Sequence, residues 1–206
     1  MGRFIVFEGG EASGKSTQSA RLAARIGAVH TREPGGTPVG AALRALLLDL
    51  RTTGLDDRAE ALLMAADRAQ HVAEVVRPAL EAGKHVVSDR YIGSTLAYQG
   101  FGRGLAVPEL RRLSVWAAGG LWPDLIVLLD LPLPVALRRL GSDPDRLEAA
   151  GEEFHDRVAR GYRALAATEP DRWVVVDGSQ SPEDVAEAVW QAVIARLPDL
   201  ADVGVL

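Results

Sequence analysis

Cysteine is absent from the 206-residue chain, which removes disulfides, cysteine-ligated zinc and thiol catalysis together. Lysine is nearly absent too: Lys15 and Lys84 are the only two, so arginine carries almost all of the positive charge. The four histidines, His30, His71, His85 and His155, show no metal-ligand spacing. No apolar run approaches the roughly 20 residues that cross a bilayer. Met1 to Glu8 lacks the basic start, apolar stretch and cleavage site of a secretory signal. A soluble cytoplasmic protein without a membrane partner is therefore expected. The net charge of −5 argues against nucleic-acid binding and favours small, phosphorylated partners held by local arginine clusters.

With 48% apolar and 25% charged residues, the chain can bury one sizeable core, and one domain over 1–206 is expected. Short apolar, β-rich runs alternate with longer segments of helical periodicity, the pattern of a parallel sheet covered by helices. The fold class is α/β. Strands are predicted at 4–7, 28–31, 85–88, 125–129 and 173–176. Helices are predicted at 16–26, 39–50, 58–81 (bent or ended at Pro78), 108–118, 134–140, 152–167 and 182–197. Ser181 as N-cap and Pro182 at the first helical position mark the start of the last one. The tail 198–206 is expected to be loose.

Gly9-Gly10-Glu11-Ala12-Ser13-Gly14-Lys15-Ser16 fits G-x-x-x-x-G-K-[ST] and lies directly between a predicted strand and a predicted helix. About two in a thousand shuffled chains of this composition would contain the pattern. In such a loop, glycines let successive N–H groups turn toward phosphate oxygens, and the helix N-terminus adds the positive end of its dipole. Lys15 is expected on the β- and γ-phosphates of a nucleotide, and the Ser16 hydroxyl on Mg²⁺. Ser88-Asp89-Arg90-Tyr91 places a carboxylate at the carboxyl edge of the third strand, where open α/β sheets bind ligands. Asp89 is a second candidate for the Mg²⁺ shell.

Several further strings carry a family resemblance: Phe7-Glu8-Gly9, Thr31-Arg32-Glu33-Pro34-Gly35-Gly36-Thr37, Ala66-Asp67-Arg68, Asp89-Arg90-Tyr91, Ala97-Tyr98-Gln99-Gly100 and Asp145-Arg146-Leu147-Glu148. In this order the chain resembles bacterial thymidylate kinases up to about residue 177. The resemblance implies transfer of the ATP γ-phosphoryl group to dTMP on the way to dTTP, with Mg²⁺, a sheet of order 2-3-1-4-5 and a homodimer. It implies catalytic roles for Lys15, Asp89, Arg90 and Arg146, and an ATP site on Gly9 to Ser16 and Thr17. It implies a dTMP site of Glu11, Pro34, Arg44, Met64, Arg68, Arg90, Thr95, Tyr98 and Gln99. Within that site Arg90 and Arg44 would clamp the monophosphate, Arg68 and Thr95 would address the base edge, and Tyr98 would pack on the deoxyribose. Segment 141–148 resembles a lid, with Arg146 reaching the transferring phosphate.

Two departures stand out. Met64 occupies the position where many relatives stack a phenylalanine on the base, which softens that platform. Ala12 adds no charge to the P-loop, and Arg146 is the only cation within 141–148, although Arg138 and Arg139 precede it. Arg44 and Arg138 fit a solvated helix face as well as a binding role. The sequence leaves open a P-loop kinase for another deoxynucleotide or nucleoside, and a P-loop switch protein, although no Asn-Lys-x-Asp guanine-reading string is present.

Overall fold

The computed structural model describes residues 2–141 and 144–204. Ser142 and Asp143 of the expected lid, and residues 205–206 of the expected tail, lie outside the described residues. Five parallel strands, β1 (Phe4–Glu8), β2 (Val29–Arg32), β3 (Val86–Asp89), β4 (Leu125–Asp130) and β5 (Trp173–Asp177), form one sheet of order β2-β3-β1-β4-β5. All five predicted strands are present, as is the strand order implied by the resemblance.

The sheet is covered on both faces, which explains why the central strands read as uninterrupted apolar runs. Phe4, Val6, Val86, Ile126 and Leu128 face one core, and Ile5, Phe7, Val87, Val127 and Leu129 face the other. The second core is closed by α1 (Lys15–Ile26) and α9 (Pro182–Arg196). The other helices are α2 (Pro38–Leu48), α3 (Asp57–His71), α4 (Arg77–Glu81), α5 (Ile92–Thr95), α6 (Val107–Ala117), α7 (Leu133–Arg139) and α8 (Glu152–Thr168); the first core draws most on α8 and on Leu96, Ala97 and Tyr98, with Ala61 of α3, Leu80 of α4, Ile92 of α5 and Leu110 of α6. Ser181 caps α9 by accepting from the Asp184 N–H at 3.2 Å, as its sequence signal indicated. Among the described residues no helix is long and apolar enough to cross a membrane.

The structure corrects three expectations. Helix 58–81 neither ends nor begins its bend at Pro78: a π-helical turn, Val72–Val76, joins α3 to α4, and Pro78 sits in the first turn of α4. Proline has no N–H to donate and its ring crowds the carbonyl four residues back, and the wider turn accommodates both. Residues 92–102, not foreseen as helical, form α5 and a π-helical segment, Leu96–Gly102. The tail is not loose over Pro198–Gly204, which forms 3₁₀ turns: Leu200 is fully buried in the second core, and Asp199 pairs with Arg3 at 2.8 Å.

The π-helical segment Leu96–Gly102 packs on α8, and this contact brings two tyrosines, Tyr98 and Tyr162, to one place. Gly161 permits the approach. A Cβ there would lie 2.7 Å from the Phe101 ring and 2.8 Å from its Cβ. On helix propensity alone Gly161→Ala would gain about 1 kcal/mol, but overpacking a close contact costs about 1–3 kcal/mol. Gly161→Ala is therefore expected to lower the urea midpoint. A raised midpoint would show that the Phe101 ring moves aside freely.

Candidate active site

The P-loop starts where β1 ends, and the parallel register sets its neighbours: Phe7 lies opposite Asp89 on β3, and Glu8 opposite Leu128 on β4. Gly14, at φ 89°, is the N-cap of α1 and turns the chain from loop into helix in a conformation that a side chain would strain. Lys15 is buried beneath the loop, and its Nζ donates to Gly10 O at 2.6 Å and Ser13 Oγ at 3.2 Å. Burial, followed by the nearby Arg90 charge, pushes the Lys15 ammonium down to about 8.

Ser16 Oγ donates to Asp89 Oδ2 at 2.5 Å, while the buried Asp89 Oδ1 has no hydrogen-bond partner among the described residues. A hydroxyl and a carboxylate with an unspent buried oxygen are suited to a hard cation that takes its remaining ligands from phosphate and water. Among the described residues no cluster of three or more acidic or histidine side chains could hold a metal unaided. This donor set therefore fits Mg²⁺ with a nucleotide and does not fit a protein-only metal cage.

Two cavities meet here. A cleft of about 1000 Å³ runs along the P-loop from Glu11 to Thr17, and Arg32, Arg44, Asp89, Arg90 and Arg139 also line it. A second cavity of about 550 Å³ is lined by all nine residues that the resemblance implies for the acceptor site, from Glu11 to Gln99. Glu11, Glu33, Arg44, Arg90 and Asp145 belong to both.

Arg90 stands at the junction. Its backbone is left-handed, at φ 72°, and its N–H donates to Phe7 O at 2.8 Å. Its Nη1 donates to Gly9 O at 3.1 Å, Ser94 Oγ at 3.2 Å and the Tyr162 hydroxyl at 3.2 Å. Its Nη2 donates to Glu11 Oε1 at 2.8 Å and the Tyr98 hydroxyl at 3.2 Å, and that hydroxyl also donates to Glu11. Burial opposes the guanidinium charge, but Glu11 and the two tyrosine oxygens outweigh it and hold the group firmly protonated. Burial likewise opposes the Glu11 charge, and Arg90 with Lys15 bring it down to about 2.

Glu8 fixes the turn behind Arg90. Its Oε1 accepts from the Tyr91 and Ser94 N–H groups at 3.1 and 3.0 Å, and its Oε2 from Ser94 Oγ at 2.6 Å and the Tyr162 hydroxyl at 3.1 Å. Burial pushes this carboxyl up to about 7. A carboxylate that ends an apolar strand was the available signal, and sequence reasoning gave it no role.

At the other end of the second cavity Arg68, 2% exposed, is held on three sides. Its Nε donates to Glu33 Oε2 at 2.9 Å, its Nη2 to Tyr91 O at 3.0 Å and Thr95 Oγ1 at 3.1 Å, and its Nη1 to Ser114 Oγ at 3.3 Å. Glu33 Oε1 also meets His71 Nδ1 at 2.8 Å, and His71 Nε2 meets Thr31 Oγ1 at 2.6 Å. Half-buried Met64 lines this cavity and packs against the first core. Burial, then the neighbouring Glu33, pushes Asp67 up to about 6. Glu33 and Arg32 lie in a string noted for its order, but nothing local marked their partners.

Arg146 is not placed as the sequence reading expected. It lines neither of the two cavities among the described residues. Its Nη2 pairs with Glu60 at 2.7 Å, its Nε donates to Leu47 O at 2.7 Å, and its N–H donates to Leu48 O at 3.0 Å. Segment 144–148 is thereby pinned to α2 and α3. The cation that faces the P-loop cleft from this side is Arg139, whose Nη1 donates to Gly178 O at 2.9 Å. Arg138 is exposed.

Comparison with known proteins agrees with this geometry. The family model described as thymidylate kinase matches residues 7–189. The thymidylate kinase of Solidesulfovibrio magneticus is 54% identical, with 92% of this chain and 98% of that protein covered. That of Bifidobacterium longum is 49% identical, covering 97% and 99%, and that of Leifsonia xyli 54%, covering 91% and 92%. The chain belongs to the thymidylate kinase family.

Proposed function

We propose that the chain transfers the γ-phosphoryl group of ATP to dTMP, giving ADP and dTDP. The observation that supports this reading is the meeting of a P-loop cleft with a second cavity at one fixed guanidinium, Arg90. The donor triphosphate lies along Gly9 to Thr17, and the dTMP monophosphate lies against Arg90 and Arg44. The nucleophile is an ionised phosphate oxygen, so no general base is required, and the protein acts by positioning two anions in line. Lys15 neutralises charge on the donor side, and Arg90 aligns the acceptor oxygen with it. Ser16 and Asp89 would hold Mg²⁺, which would offset charge on the donor phosphates. The base end is addressed by Arg68, Thr95 and Gln99 over the Met64 platform, with Tyr98 beside the sugar.

A homodimer belongs to the same proposal. Large apolar side chains are exposed on α2 (Val39, Leu46), α3 (Leu62) and α6 (Trp116, 80% exposed), a set that a second copy would cover.

An ADP-release assay across nucleoside monophosphates tests the reaction. dTMP is expected to be the best acceptor, and Lys15→Ala to lower turnover at least about a hundredfold; a Lys15→Ala enzyme within tenfold of the parent would sink the P-loop reading.

Lys15 also sets a pH dependence. Its ammonium titrates at about 8 in the free protein, and bound phosphates raise that value. ATP affinity is therefore fully present below pH 8 and is lost as pH rises through it, by up to about tenfold per unit, with a proton taken up on binding. Calorimetry at pH 9 in two buffers of different ionisation heat reads that proton directly. Identical heats would show that Lys15 is already charged in the free protein.

The two arginines separate by substrate. Arg139→Ala is expected to lower kcat/KM for ATP at least about tenfold, a loss of about 1.4 kcal/mol. Arg146→Ala is expected to lower kcat less than tenfold, and to appear instead in the dTMP KM and the melting temperature. A loss of about 10³ in kcat for Arg146→Ala would restore it as the arginine acting on the moving phosphoryl group.

A further inference from the structure

The base end of the second cavity contains an amide whose direction is set from behind. Gln99, on the π-helical segment, lines the cavity, and its Nε2 donates to Glu60 Oε1 at 2.8 Å. Glu60, on α3, is 1% exposed and does not line that cavity among the described residues. Its Oε2 accepts from Arg103 Nη2 at 3.1 Å and from Arg146 Nη2 at 2.7 Å. Burial opposes this charge, but Arg103, Gln99 and Arg146 together hold the carboxyl below its ordinary value. An ionised carboxylate has acceptors and no proton to give, so a carboxamide beside it must turn its NH₂ inward. Gln99 Oε1 is left as the outer end, with no hydrogen bond among the described residues. On the lining of the same cavity, Arg68 spends four of its five N–H groups on Glu33, Tyr91, Thr95 and Ser114, and one on Nη1 remains.

We infer that Glu60 sets the polarity of the base pocket: it fixes Gln99 Oε1 as an acceptor next to the Arg68 donor. The pocket then selects a pyrimidine with N3–H beside a 4-keto oxygen over one with a bare N3 beside a 4-amino group. The second ring would set N3 against Oε1 and its amine against a guanidinium, leaving buried polar groups unpaired. Glu60 does not contact the base and acts through Gln99 as a positioning residue. The inference rests on the proposed reading of this cavity as the dTMP site.

The test is the ratio of kcat/KM for dTMP to that for dCMP. In Glu60→Gln the Arg103 and Arg146 donors take the new amide's oxygen, so its NH₂ faces Gln99 and turns the Gln99 NH₂ outward into the pocket. The ratio is expected to fall at least tenfold, mainly through the acceptor KM values, while the ATP KM stays within about threefold. In the Glu60→Gln, Gln99→Glu double variant, the amide at 60 donates to the carboxylate at 99, which presents only an acceptor to the pocket. The ratio is expected to return to within about threefold of the parent. Arg103→Gln removes one guanidinium but leaves the Glu60 to Gln99 contact, and is expected to keep the ratio. A folded Glu60→Gln enzyme with an unchanged ratio overturns the inference, as does a double variant no more selective than the single one. If Glu60→Gln does not fold, as thermal melting would show, the double variant decides alone: a ratio within about threefold of the parent supports the inference, and one at least tenfold lower overturns it. A parent enzyme that turns over dTMP without preferring it to dCMP removes the inference alone, whereas one that accepts neither removes the kinase reading as well.

Discussion

The guanidinium of Arg90, fixed where two anion sites meet, is the constraint on which the other features depend. A free arginine carries about 2 kcal/mol of rotamer entropy, and two phosphates brought together repel each other, so a mobile cation there would align neither. The chain removes the freedom in stages. Parallel pairing of Phe7 with Asp89 places the residue after β3 against the P-loop. The Arg90 N–H bond to Phe7 O and the left-handed backbone then turn the side chain back over Gly9. Three hydroxyls and Glu11 share its remaining Nη donors, while its Nε makes no hydrogen bond among the described residues. Those hydroxyls come from the helical segments after β3 and from α8, so the packing that Gly161 permits is also what completes the site.

Glu8 connects this arrangement to the sheet. It ends β1, yet its carboxyl receives the N–H groups that open α5 and the hydroxyls of Ser94 and Tyr162. The strand that delivers the P-loop therefore also caps the helix that follows Arg90. Donor and acceptor sites cannot shift relative to each other without breaking these bonds.

What the sequence made legible follows from the range of the signals. Four of the five strands are short apolar runs bounded by turns and were readable locally, while β2, Val29–Arg32, carries only one apolar residue. The P-loop is a contiguous string, and the nine residues that the resemblance implied for the acceptor site, scattered over positions 11 to 99, converge on one cavity. What was not legible is partnership across the chain. The sequence marked Arg146 as the only cation within 141–148 but carried no sign of its pairing with Glu60, 86 residues away. Glu33 carried no local sign that it braces Arg68 and His71, 35 and 38 residues further along the chain. The π-helical turns escaped for a related reason: period 3.6 is the template for reading helices, and a wider turn breaks it without leaving a compositional mark.

The second cavity is backed by two buried carboxylates, Glu33 and Glu60, each held by arginine and a second donor. Burying an ion costs on the order of several kcal/mol even after relaxation, and well-packed apolar side chains of similar volume often give equal or greater stability. Stability therefore does not account for their presence. Direction does: Glu33 turns the Arg68 donors and Glu60 turns the Gln99 amide, and neither orientation would survive exchange for a hydrocarbon. An apolar wall with one methionine platform separates bases by size to within about 1–3 kcal/mol, whereas fixed donors and acceptors reject a mismatched edge by far more. The softer platform at Met64 and the rigid polar backing are thus complementary: the less the stacking surface discriminates, the more selection depends on the two buried carboxylates.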